Sequence, residues 1–223
     1  MPPESKLATK PFELIAGHPA LDLINTLDNR FSDPPSGPQE RILTYDDLLR
    51  FVQQSGLLTD RQARKLKRLA SHPDADVDPT EPQPDPAAIL QQAIQLREAL
   101  ATITYAWLDE VPTGSSTEPL PLLEDLFKQA ALHRRLKPED GHLLWSWKGL
   151  SRHLASPLWL LAQSANELLT SSDILRLRAC GSDTCRWVFL DTSKNHTRRW
   201  CDMKTCGNRM KARRFHARQS DPA

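Results

Sequence analysis

Cys180 to Arg218 reads CGSDTCRWVFLDTSKNHTRRWCDMKTCGNRMKARRFHAR, and this stretch holds every cysteine of the 223-residue chain. Cys180, Cys185, Cys201 and Cys206 follow the pattern C-x4-C-x15-C-x4-C, two equal pairs separated by a short insert. Paired thiols at this spacing, in a chain expected to stay in a reducing compartment, point to a metal cage over a pair of disulfides. Four soft thiolates match the tetrahedral preference of Zn2+ and leave no position for a reactive water, so one structural zinc ion is the expected cofactor. A four-thiolate set also accommodates an iron–sulfur cluster, and four unconnected thiols are the plain alternative.

Between the pairs, Arg186–Leu190 is β-prone, residues 191–195 are turn-prone, and His196–Trp200 can return as the partner strand, which predicts a hairpin joining the two pairs. Beyond Gly207 the run NRMKARRFHARQ has high helix propensity and places the fourth ligand at the foot of a helix. Knuckle, hairpin and helix together make a treble-clef-like zinc finger. Arg209 and Arg213 are four apart on that helix, Met210, Arg214 and Arg218 form a second row, and Lys211 lies beside them. Lys194, Arg198 and Arg199 on the predicted hairpin extend this basic surface toward a phosphate backbone. Asn208 has the chemistry to read a base edge, whereas Gly207 and Arg209, so close to Cys206, are expected to support the metal cage. Trp187, Phe189 and Trp200 can stack on bases, but a hairpin this small needs them for its own core.

The net charge of +1 conceals a division: from Ile174 onward twelve Lys or Arg face four Asp or Glu, and the preceding part is net acidic. The expected organisation is a helical domain over residues 1–173 and a finger over 174–223. Helix signals are regular in the first part. Pro19 opens a segment with Leu21, Ile24 and Leu27 at spacing three; Thr44 and Thr59 are N-caps; across residues 87–110 the pattern Ile89, Leu90, Ile94, Leu96, Leu100, Ile103 and Trp107 suits a long central helix; further helices follow from Leu120 and Ser156. Proline-rich stretches at 32–40, 71–86 and 111–119 separate them. Around Glu139-Asp140-Gly141 the pattern changes to alternation, with His142, Leu144 and Ser146 against Leu143, Trp145 and Trp147, which predicts a small β-hairpin. The fold class is therefore mainly α, a helical N-terminal domain with a small hairpin plus the finger.

In the first helix, Asp22, Asn25 and Asn29 fall near one face, with His18 just ahead and Arg30 behind. Such a group either lines a small-molecule pocket or ties neighbouring elements together. Trp145, Trp147 and Trp159 can close a pocket or pack in the core. No Gly-rich phosphate loop, metalloprotease helix, nucleophile elbow or spare cysteine is present, so no enzyme activity is expected. No apolar run is long enough to span a bilayer and no secretory leader is visible, so a cytoplasmic protein is expected.

WCDMKTCGNRMKARRFHAR, with FLDTSKN upstream, resembles the CGNR zinc-finger family, named for the string at Cys206-Gly207-Asn208-Arg209. AGHPALDLINTL (16–27) and LWLLAQSANELLTSSDILRLRAC (158–180) resemble the helical ABATE domain that precedes this finger in bacterial proteins. The resemblance implies a stress-related transcription regulator with a DNA-binding finger. RNA or the ribosome, or a protein partner, are the alternative targets for the basic surface, and the helical domain is expected to sense an effector or to form a homodimer.

Overall fold

Two threonines show how directly local chemistry sets the helix starts. Thr44 accepts a hydrogen bond from the Asp47 N–H while Asp47 accepts from the Thr44 N–H, and Thr59 and Gln62 repeat the reciprocal arrangement. In the computed structural model, which describes residues 11–33, 37–72, 82–110 and 117–220, these caps open α2 (Tyr45–Gln54) and α3 (Asp60–Ser71). The side chains of Arg214 and of residues 217–220 are outside the described set, as are the expected proline-rich breaks across 34–36, 73–81 and 111–116.

α1 (Pro19–Ile24) is short, opened by Pro19 and capped by His18, whose Nδ1 accepts from the Ala20 N–H. α4 (Pro86–Leu108) is the long helix, followed by α5 (Leu120–Leu132) and α6 (Ser156–Thr170). α6 is buried almost all round, from Ser156 through Ala162, so α1, α2, α4 and α5 pack about it and the core lies along its axis. On α4 the apolar pattern misplaces one residue: Trp107 is 44% exposed, whereas Arg97 is buried. Arg97 forms a bidentate pair with Glu40 at 2.7 and 2.6 Å and donates to Glu98 and Thr26. Those bonds bring in a small ladder that the sequence did not announce, β1 (Leu27–Asp28) against β2 (Gln39–Glu40).

The predicted hairpin is present as β3 (Arg134–Glu139) and β4 (His142–Trp147), closed by Asp140 and Gly141, both in the left-handed region. The third ladder corrects the sequence expectation. β6 (Val188–Leu190) pairs antiparallel with β5 (Leu177–Ala179), not with residues 196–200, which form no strand. The hairpin is thus wound around the first cysteine pair instead of linking the two pairs. The physical reason is burial: Leu177, Val188 and Phe189 are all buried, whereas Asn195–Thr197 and Arg199 are exposed and form an Asp191-centred loop. A π-helical turn, Met203–Gly207, then leads into α7 (Asn208–Ser220).

Candidate metal centre and basic helix

Cys180 follows β5 directly and Cys185 closes a tight turn, where its N–H and that of Arg186 both reach the Ser182 carbonyl. The Cys180 N–H bonds to the Trp187 carbonyl at 2.8 Å, and the Gly181 N–H bonds to the Arg199 carbonyl at 2.8 Å, drawing the second half of the finger over the first. Asp202 caps the π-helical turn through the Thr205 N–H and so aims Cys206 back at Cys201. Gly207 packs closely under the Met203 side chain, whose flexible end a Cβ there would displace.

The four Sγ atoms lie within 4.8 Å of one another, and Cys201 is 3.6 Å from both Cys185 and Cys206. Sulfurs held about 2.3 Å from a central zinc ion stand about 3.8 Å apart at the corners of a tetrahedron. The donor set therefore fits zinc in both chemistry and spacing. Its electrostatics also favour a cation: hydrogen bonding from Cys185 and Cys201 pulls Cys180 down to about 2, and bonding to Cys180 raises the other two thiols. A divalent ion supplies the charge that lets the remaining sulfurs ionise. Arg209 donates to the Cys206 sulfur at 3.1 Å and to the Ser182 hydroxyl at 3.4 Å, a charge-assisted brace between the second cysteine pair and the first knuckle.

Among the described residues, the polar group on α1 ties neighbouring segments together. The Asn25 amide donates to the Val188 carbonyl and accepts from the Val188 N–H, both at 2.9 Å, closing the free edge of β6. Asp22 accepts from the Ala16 N–H at 2.9 Å, and the Ala16 carbonyl accepts from the Leu190 N–H at 2.8 Å. Arg30 pairs with Glu98, and Asn29 occupies a left-handed turn position. The space left beside Asp22 and Asn25 is about 20 Å3, room for one water. Of the tryptophans, Trp159 is buried and stacked on His133, Trp147 is half-buried, and Trp145 is exposed.

Several residues of this joint carry no motif and were not anticipated. The Trp187 indole donates to Asp28, the Tyr105 hydroxyl donates to the Arg186 carbonyl, and the Arg186 guanidinium pairs with Asp109 at 2.8 Å. The available signal was weak: a tyrosine inside an apolar helix and an acid at its end.

The basic residues separate into two groups. Lys194, Arg199, Lys211 and Arg213 are exposed, as is the neutral Asn208, and no described residue of α7 belongs to the core. A groove of about 640 Å3 runs beside Arg199, lined also by Ser193, Thr197, Trp200 and Met203. Arg198 departs from the expected outward role. Its guanidinium donates to the carbonyls of Ile15, Trp200 and Cys201 and lies 4.2 Å from the Phe189 ring centre, so it ties the finger together. The side chains of Arg214 and Arg218 lie outside the described residues. Phe189 is buried and Trp187 and Trp200 half-buried, as parts of this small core.

Residues 176–219 match the family model of the CGNR zinc finger, and residues 17–172 match ABATE, described as "Putative stress-induced transcription regulator". The chain belongs to the ABATE family. A search of curated proteins found no match. In this ABATE protein the two matched segments meet along α1 and β6, and among the described residues no helix is long and apolar enough to cross a membrane.

Proposed function

We propose that this ABATE protein is a DNA-binding transcription regulator whose finger, held by one zinc ion, presents α7 to the duplex. One observation carries the reading: a helix that starts at the fourth cysteine lies outside the core and exposes Lys211 and Arg213, with Arg199 and Lys194 exposed on the same finger. Cations on an otherwise unburied helix suit phosphate contact, and the same finger carries a groove beside Arg199. The metal's part is structural, because four sulfurs complete a tetrahedron and leave no site for catalysis. The input to regulation is the joint between α1 and β6, where any shift of the helical body moves the finger.

Fluorescence anisotropy with duplex DNA tests the proposal. If four to five phosphates are neutralised, the logarithm of the binding constant falls against log salt with a slope of about −4. Lys211→Glu with Arg213→Glu abolishes retention while zinc stoichiometry stays unchanged. Undiminished salt-sensitive binding in that double variant overturns the assignment of α7. Preferential recovery of ribosomal RNA from cells, or of neither nucleic acid, overturns DNA as the target.

A further inference from the structure

The cysteine cage is not sealed on every side. Cys180, Cys201 and Cys206 are buried, whereas Cys185 is only half-buried. A cleft of about 170 Å3 is lined by Cys185, Cys201 and Cys206 but not by Cys180. Its other walls include Glu13, Asp28 and Arg41 from the N-terminal part of the chain, and Arg209 from α7. Sulfurs 3.6 Å apart enclose room for one ion, so a space of this size lies outside the face that the three cysteines form. A water's share of liquid volume is about 30 Å3, so the cleft admits a molecule of a few non-hydrogen atoms. Two carboxylates offset two guanidiniums there, above a cage whose four thiolates outweigh a divalent ion. Nothing in that balance favours an anion, and a small neutral molecule suits it.

We propose that Cys185 is an oxidation site for a small neutral hydroperoxide, with Cys201 as its resolving partner. The inference rests on the zinc-held finger proposed above. A thiolate ligand is also a nucleophile, and the Cys185 sulfur is the one that the surface leaves accessible. It attacks one peroxide oxygen: an S–O bond forms, the O–O bond breaks, and the departing hydroxide takes a proton to become water. The sulfur loses two electrons and the peroxide gains them, leaving a sulfenic acid. The Cys201 thiolate, 3.6 Å from Cys185, then attacks that sulfur, forming S–S and expelling the oxygen as a second water. Closing to the roughly 2.05 Å of a disulfide asks for about 1.5 Å of approach. The cage thereby loses two of its four ligands and can no longer hold the ion. Cys206 is released with it, just ahead of Asn208, where α7 begins, and the Arg209–Ser182 bond is a weak remaining tie at 3.4 Å. The disulfide keeps the two halves of the finger side by side, so reduction and fresh zinc rebuild the cage.

The full chain, isolated with zinc in the absence of air, is treated with hydrogen peroxide while a chromogenic chelator reports free zinc. Zinc is expected to be released, with a Cys185–Cys201 disulfide in the peptide map and lost hydrogen-exchange protection in α7. Dithiothreitol and zinc reverse all three. Cys185→His keeps a four-ligand site without the oxidisable sulfur and is expected to release zinc roughly tenfold more slowly. Cys206→His, with Cys185 and Cys201 intact, stays as sensitive as the parent. The peptide map of the parent decides the matter even where a histidine variant binds no metal. Zinc that stays bound in excess peroxide, a first oxidation at Cys180, or a disulfide within either cysteine pair overturns the oxidation site alone. A chain isolated without zinc overturns the zinc reading and this inference with it.

Discussion

The two cysteine pairs serve one cage but are held in place by different means. Cys180 and Cys185 sit at the end of a ladder locked to the helical body by the Asn25–Val188 amide pair, the Trp187–Asp28 bond and the Tyr105–Arg186 bond. Cys201 and Cys206 have few such ties: Arg198 reaches Ile15, Arg209 reaches Ser182, and the Gly181 N–H reaches Arg199. The first pair is therefore fixed by ties to the helical body, whereas the second has few of them and would depend on the proposed zinc ion. In the proposed regulator, the finger would keep a fixed base on the body while α7 depended on the zinc ion.

The largest test of that contrast removes the metal. In zinc-finger peptides a structural zinc contributes about 10–16 kcal/mol at neutral pH, far more than the few hydrogen bonds on the second pair. Cys201→Ser is expected to lose zinc and the order of residues 196–220. The amides of Val188 and Leu190, which donate to Asn25 and Ala16, should remain protected from hydrogen exchange. Parallel loss of protection in β6 would show that the finger folds as one unit and that the two pairs do not differ.

Asn25→Ala attacks the other side of the contrast. It strips a partner from both the N–H and the carbonyl of buried Val188, each unsatisfied group costing about 1–3 kcal/mol. A loss of about 2–4 kcal/mol in urea unfolding is expected, with zinc stoichiometry retained. Loss of zinc at undiminished stability of the helical body would place the anchoring of the first pair in the metal after all.

How much of this was legible in the sequence follows from how local each determinant is. The threonine caps and the Asp-Gly hairpin depend on residues a few positions apart, and the cysteine cage on one short stretch, Cys180 to Cys206; all three were readable. The joint was not. Asn25 meets Val188 across 163 positions and Arg97 meets Glu40 across 57. No periodicity reports such a pair, and a polar residue on an apolar helix reads equally as a pocket wall or a tie. The strand pairing failed for a related reason: residues 186–190 are β-prone whichever neighbour they take. Only the burial of Leu177 beside Val188 and Phe189 decides between 177–179 and 196–200. Arg198 was misassigned because charge alone does not separate a guanidinium facing water from one capping three carbonyls.

Asp22 supplies the smallest and most specific test of the docked side, because it positions Ala16, whose carbonyl takes the Leu190 N–H. Burial pushes its carboxyl up to about 6, against the opposing pull of the Ala16 and Ile15 amides. An unfolded aspartate titrates near 3.9. Between the two values the folded state holds a proton that the unfolded state has released, so stability rises as pH falls through about 6 and the gain is complete below about 4. Above pH 6 the folded protein carries the desolvated charge, at a cost of about 2–3 kcal/mol. Asp22→Asn keeps an oxygen to accept the Ala16 N–H and removes that charge. The variant should thus be more stable than the parent at pH 7.5 by that margin, with the difference closing near pH 4. A pH-independent difference in the unfolding midpoint, or a variant weaker at pH 7.5, would mean that the carboxylate is itself a necessary part of the joint, holding the Ala16 segment against β6 through its charge.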